Sequence, residues 1–222
     1  MKVIPVPGFG AGVLEPTGNL CWYIDSNLLS GHTWTGAPVP GFDPEGIFST
    51  LPAIATTLFG VLTGHWLRTE KSPEEKTTGM FVAGNVMLLL GAILDMGMPI
   101  NKNLWTSSYS IFMAGWALIC LATFYWIIDV KGYTKWATPF IIYGMNAIAV
   151  FVLSGVVGRL LTLIKLMNAD GSTIALKPFI VNHFFSPLTS PVNASLLFAI
   201  SWVLAMFFVV WALWKKKWFL KV

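Results

Sequence analysis

The sequence predicts an all-α, polytopic membrane helix bundle with about five transmembrane helices and a short extracytoplasmic N-terminal segment. Three observations carry this. Of 222 residues, 55% are apolar and only 11% are charged, against roughly a quarter charged in soluble domains. Mean hydropathy is +0.70. Eleven residues are tryptophan, a side chain enriched at membrane–water interfaces. Such a composition excludes a disordered chain, which needs high charge and low apolar content, and a water-soluble globule.

The elements follow in order. Residues 1–45 form the N-terminal segment and 46–222 the transmembrane bundle. Apolar stretches near 46–67, 78–98, 105–128, 139–164 and 192–214 match the roughly 20 helical residues that cross a hydrocarbon core. Their apolar runs are continuous and do not alternate, which selects helices over barrel strands. The opening Met1–Gly10 has no basic region ahead of an apolar core, so it is not a signal peptide. With only Lys2 before the first span, the expectation is that a helix precedes this chain in something larger. A missing N-terminal half or a homo-oligomer then completes the bundle.

Basic residues orient the spans. Arg68, Lys71 and Lys76 follow span one, Lys131 and Lys135 follow span three, and Lys215, Lys216, Lys217 and Lys221 end the chain. The opposite side carries fewer. By the positive-inside rule the C-terminus is cytoplasmic and the N-terminus extracytoplasmic. The net charge of +4 is therefore a topology signal, and no nucleic-acid partner is expected. Cys21 and Cys120 are not expected to form a disulfide. Two stripes of small residues, Gly46, Thr50, Ala53, Thr57, Gly60 and Gly64 on span one and Gly144, Ala147, Ser154, Gly155 and Gly158 on span four, read as helix-packing faces. The alternative is the wall of a ligand channel.

The polar residues that need explaining gather at the outer helix ends. Asp43-Pro44-Glu45-Gly46 reads as a helix start, with Asp43 as N-cap, Pro44 at the first position and Glu45 on the positive end of the dipole. The same carboxylates suit the mouth of a binding site. Asn101-Lys102-Asn103-Leu104-Trp105 reads either as an interfacial anchor or as a sugar-binding run, since Asn101 and Asn103 donate and accept while Trp105 stacks. Lys102 has a second role open to it, pairing with Asp43 or Glu45. Asp25 and His32 are a further candidate pair, with His32 as proton carrier. Asn146, inside span four, reads as a helix–helix hydrogen bond or a ligand contact. No histidine spacing suggests a metal site, and no phosphate loop or nucleophile elbow is present.

The run Pro5-Val6-Pro7-Gly8-Phe9-Gly10-Ala11-Gly12, then Gly18-Asn19-Leu20 and Tyr23-Ile24-Asp25, resembles the membrane-bound heparan-alpha-glucosaminide N-acetyltransferase family and its bacterial NagX-like members. Phe42-Asp43-Pro44-Glu45-Gly46-Ile47, Pro99-Ile100-Asn101-Lys102-Asn103-Leu104-Trp105-Thr106, Ile128-Asp129-Val130-Lys131-Gly132 and Gly144-Met145-Asn146 fit it in the same order. The resemblance implies an enzyme that takes acetyl from cytoplasmic acetyl-CoA and delivers it to an amino sugar across the membrane, here in a bacterial inner membrane. It also implies a catalytic histidine in an N-terminal half that this chain does not match. The chain is thus expected to be inactive alone. A component of an N-acetylglucosamine-related transporter and a non-catalytic membrane remnant are the alternatives.

Overall fold

A computed structural model describes residues 4–167 and 171–220. Lys2 and Lys221 of the charge pattern lie outside the described residues. The chain divides into two units, Met1–Tyr133 and Thr134–Val222.

The first unit opens with a small antiparallel hairpin, β1 (Pro5–Val6) and β2 (Gly10–Ala11). Phe9 in its turn meets Trp22 edge-on at 5.4 Å. The Phe9 ring also fills the space beside Gly18, where a Cβ would stand 2.4 Å away and φ is +86°, so only glycine fits. Helix α1 (Leu20–Leu28) starts there because Asn19 caps it. Asn19 Oδ1 accepts from Trp22 N at 2.8 Å, and its Nδ2 donates to Glu15 O at 2.7 Å.

Three long apolar helices follow: α2 (Ile47–Leu67), α3 (Pro73–Asp95) and α4 (Ser107–Tyr125), the last extended by a π-helical turn to Val130. Each is long and apolar enough to span a membrane. Helix α3 begins before the expected residue 78 because Ser72-Pro73-Glu74-Glu75 is a capping box. Ser72 Oγ accepts from Glu75 N while Glu75 Oε2 accepts from Ser72 N, both at 3.2 Å. Polar starts of this kind escape a hydropathy window.

Helices α3 and α4 pack backbone to backbone through glycine. A Cβ on Gly115 would lie 2.8 Å from both Gly84 O and Leu88 N, and one on Gly91 would lie 2.7–2.9 Å from Phe112. Met80 and Ala122 are buried in this seam. This corrects the expected packing faces. Cβ atoms on Gly60, Gly64, Gly144, Gly155 and Gly158 would meet nothing within 4 Å. The stripes are open at these five glycines, though not at Gly46, and close approach happens where a partner helix supplies a matching gap.

In the second unit a 3₁₀ turn (Lys135–Ala137) leads into α5 (Thr138–Met145) and α6 (Ala147–Leu163). The expected single helix over 139–164 is instead bent by 66° at Asn146. Asn146 leaves the helical region, with φ −131° and ψ 35°. Asparagine favours such breaks because its side chain competes with the helix for backbone partners. A hairpin of β3 (Lys165–Met167) and β4 (Thr173–Ala175), then the short helix α7 (Leu176–Ile180), lead to α8 (Pro191–Lys215). Tyr143 Oη donates to Val203 O and ties α5 to α8. After α8 the chain reverses at Lys217, a non-glycine residue at φ 56°. Leu220 N then donates to Asn146 Oδ1 at 3.1 Å. Among the described residues, four unbroken spans and one bent helix pair that together qualifies as a span make the fold an all-α polytopic helix bundle.

Candidate functional site at the outer helix ends

A small apolar cluster of Cys21, Phe42 and Leu104 fastens the N-terminal segment, the turn before α2 and the loop before α4 to one another. Cys21 Sγ lies 3.8 Å from Leu104 O. Because Asp43 follows Phe42 and Leu104 sits inside Asn101–Trp105, the two polar motifs share one end of the unit.

Within that end the polar side chains do different work. Asp43 is not the cap of α2. Its Oδ1 accepts from Glu45 N at 2.9 Å and its Oδ2 from Trp34 N at 3.0 Å, which holds the 34–45 loop. The acceptor at the start of α2 comes from Asp25 on α1, whose Oδ1 takes Phe48 N at 3.3 Å. Gly46 occupies the N-cap position, and a Cβ there would lie 2.0 Å from Asp25 Oδ2. Asp25 is fully buried and its Oδ2 has no partner. Burial therefore pushes its carboxyl above the usual range, against the lowering effect of the Phe48 and Ile47 N–H groups. Burial likewise pushes the Cys21 thiol up to about 12, with the Asp25 charge adding to it. His32 lies exposed in the loop, and among the described residues no hydrogen bond or ion pair joins it to Asp25.

Asn101 holds its own turn. Its Oδ1 accepts from Leu104 N at 3.1 Å, and its backbone exchanges hydrogen bonds with Thr106. Glu45, Lys102 and Asn103 are exposed. Among the described residues Lys102 makes no ion pair with Asp43 or Glu45. Trp105 stands apart, with φ at 44°, a left-handed conformation costing about 1–2 kcal/mol in a residue with a Cβ. It is held by Trp105 N donating to Lys102 O at 3.1 Å, by Nε1 reaching Thr56 Oγ1 at 3.4 Å, and by the edge of Tyr109. The indole thus borders a cleft of about 590 Å³ between α2 and α4, walled by Gly60, Gly64, Tyr109 and Ser110.

Sequence reasoning missed one feature. A pocket of about 500 Å³ is lined by Ser26, Ser30, Thr33, Trp34 and Thr35 beside Gly41. The hydroxyl-rich run Ser30–Thr35 around one tryptophan is the signal that was there to find. In the second unit, Asn146 is fully buried at the α5–α6 break, and its Nδ2 has no partner.

Fold and composition define an integral membrane helix bundle with built polar loops at the helix ends. No protein-family model matches the chain. The chain is similar to the heparan-alpha-glucosaminide N-acetyltransferases of Mus musculus and Homo sapiens, 32% identical to each, over 67% and 68% of this chain. The matched region spans only 27% and 26% of those proteins. The similarity supports the family relationship that the motifs indicate and a membrane acetyltransferase-like class.

Proposed function

We propose that this chain is the C-terminal part of a membrane-bound acyltransferase that passes acetyl from cytoplasmic acetyl-CoA to an amino sugar on the other side. The observation that carries this is the 32% identity to acetyltransferases, in a chain whose Phe42 and Leu104 gather two polar loops at one end. The basic residues at the opposite helix ends support an orientation with that end extracytoplasmic, by the positive-inside rule, and the resemblance to bacterial NagX-like members supports an inner membrane. Trp105 offers a stacking face to the sugar. Glu45 offers a charge to its amino group, with Lys102 and Asn103 at the rim. Asp43, Asn101 and Asp25 hold the loops that present them. A strained residue beside a cleft is a recurrent mark of function, and Trp105 is such a residue.

The test uses sealed inside-out vesicles carrying the natural gene product with this sequence, labelled acetyl-CoA outside and glucosamine inside. Labelled N-acetylglucosamine should form in the lumen. Glu45→Gln should lower the rate about tenfold, the value of one charge-assisted hydrogen bond, with folded yield unchanged. Unmodified sugar moving across with no acetylation would favour the transport reading. Activity only in right-side-out vesicles would reverse the orientation.

A further inference from the structure

Asn146 breaks a membrane span, and it is itself fully buried there while its chain neighbours Met145 and Ala147 are exposed. Its amide orientation is set by chemistry. Leu220 N is a donor, so the atom facing it at 3.1 Å must be the carbonyl oxygen. The amino group is then turned to the other side, where it finds no acceptor. No side chain caps the start of α6, so this amino group stands at the positive end of a 17-residue helix. A donor added to a row of donors is a mismatch that an incoming acceptor resolves. Irregular backbone at membrane depth persists where it is buried or lines a cavity, and half-helix N-termini inside membranes receive ligand oxygens. Beside the break, a Cβ on Gly144 would meet nothing within 4 Å.

We propose that the α5–α6 break is a binding site for a carbonyl oxygen of the acyl donor, with Asn146 Nδ2 as the hydrogen-bond donor. The proposal rests on the acyltransferase reading above. A neutral amide at a helix start suits a neutral thioester or amide carbonyl, since it brings no full charge to meet a phosphate. Helix α5 begins just after the basic residues Lys131 and Lys135, so on that reading the break lies within reach of the cytoplasmic face. The tail residue Leu220 has a separate task. It occupies Oδ1 and so identifies the opposite atom as Nδ2.

The experiment titrates acetyl-CoA into the purified chain in lipid nanodiscs. Asn146→Leu, close in shape and without hydrogen bonds, should raise the acetyl-CoA Kd about three- to tenfold, whereas deleting residues 220–222 should change it less than about twofold. Equal weakening by both would mean that Asn146 only anchors the tail. An unchanged Kd in Asn146→Leu, or a change in oligomer mass without a change in Kd, would overturn the site and make the amide a contact to another helix. Absence of any acetyl-CoA binding by the unaltered chain would overturn the acyl-donor reading itself. Where Asn146→Leu does not fold, the side-chain ¹⁵N signal of Asn146 in the unaltered protein decides. It should shift on saturation with acetyl-CoA, and no shift would overturn the proposal.

Discussion

Asp25 and Asn146 occupy matching places in the two units and have opposite chemistry. Among the described residues, Asp25 Oδ2 and Asn146 Nδ2 are the buried side-chain atoms with no hydrogen-bond partner. Each stands at the start of a long apolar helix, α2 or α6. Asp25 brings an acceptor to a positive helix end, which suits the dipole. Its difficulty is burial, which a proton relieves. Asn146 brings a donor to the same kind of end, and no titration corrects that. A proton relieves the first orphan atom, whereas only an acceptor would relieve the second. The units also differ in packing. Helices α3 and α4 close on glycine at Gly84, Gly91 and Gly115, while α6 faces a cleft of about 840 Å³ toward α8 that Gly155 and Gly158 help to line.

The largest expected effect breaks the packing contrast. Gly115→Val puts bulk where even a Cβ lies 2.8 Å from two backbone atoms of α3. Neither backbone atom can rotate away, so the helices must separate. Overpacking of this kind costs about 1–3 kcal/mol, or roughly 3–10 °C in a domain of this size. Thermal unfolding in detergent, followed by tryptophan fluorescence, should show that loss for Gly115→Val and much less for Gly155→Val. Equal losses would mean that the cleft beside α6 is filled in the assembled protein.

A smaller effect sharpens the Asp25 side of the comparison. The folded-state carboxyl is raised above its ordinary value, so the folded protein holds the proton more tightly than the unfolded chain. The resulting stability is fully present below the ordinary carboxylate pKa and is lost as pH rises through the folded value. Asp25→Asn keeps an oxygen for Phe48 N and removes the ionisation. The unfolding midpoint should then be flatter with pH and, at neutral pH, at or above that of the parent. A variant with the parent's slope would assign the pH dependence to other groups.

How far these features were legible in the sequence follows from how local they are. The spans were legible because hydropathy sums over about 20 consecutive residues. The break at Asn146 was not, since one polar residue barely moves such a sum and the bond that stabilises the break comes from Leu220. Asp43 reads as a cap for the helix it precedes, yet the acceptor belongs to Asp25, on a different helix. The Gly60–Gly64 pair carries the familiar four-residue spacing, but packing glycines are chosen by what faces them. Gly84, Gly91 and Gly115 face Ile119, Phe112 and Leu88, and no pattern within α3 or α4 alone names those partners. The turn-forming role of Asn101 was local and so within reach. The aromatic face of Trp105 is legible from its residue type, while its left-handed backbone, φ 44°, is not.

The smallest effect concerns Gly60. In the middle of a helix, glycine costs about 1 kcal/mol relative to alanine, mostly through the freedom of the unfolded chain. A Cβ at Gly60 meets nothing within 4 Å and enters the open cleft under Trp105. With no clash to offset the entropy gain, Gly60→Ala should leave the unfolding midpoint unchanged or raise it by roughly 2–4 °C. The same change in a closed seam would lower it, as a Cβ on Gly91 would by pressing on Phe112. A midpoint that falls in Gly60→Ala would therefore report a second surface lying against α2 in the working protein, and would restore the small-residue stripe to a packing role. A midpoint that holds, with acetyl transfer also unchanged, would leave the glycine as spare room in the cleft. A midpoint that holds while transfer falls would make Gly60 part of the wall that the substrate touches.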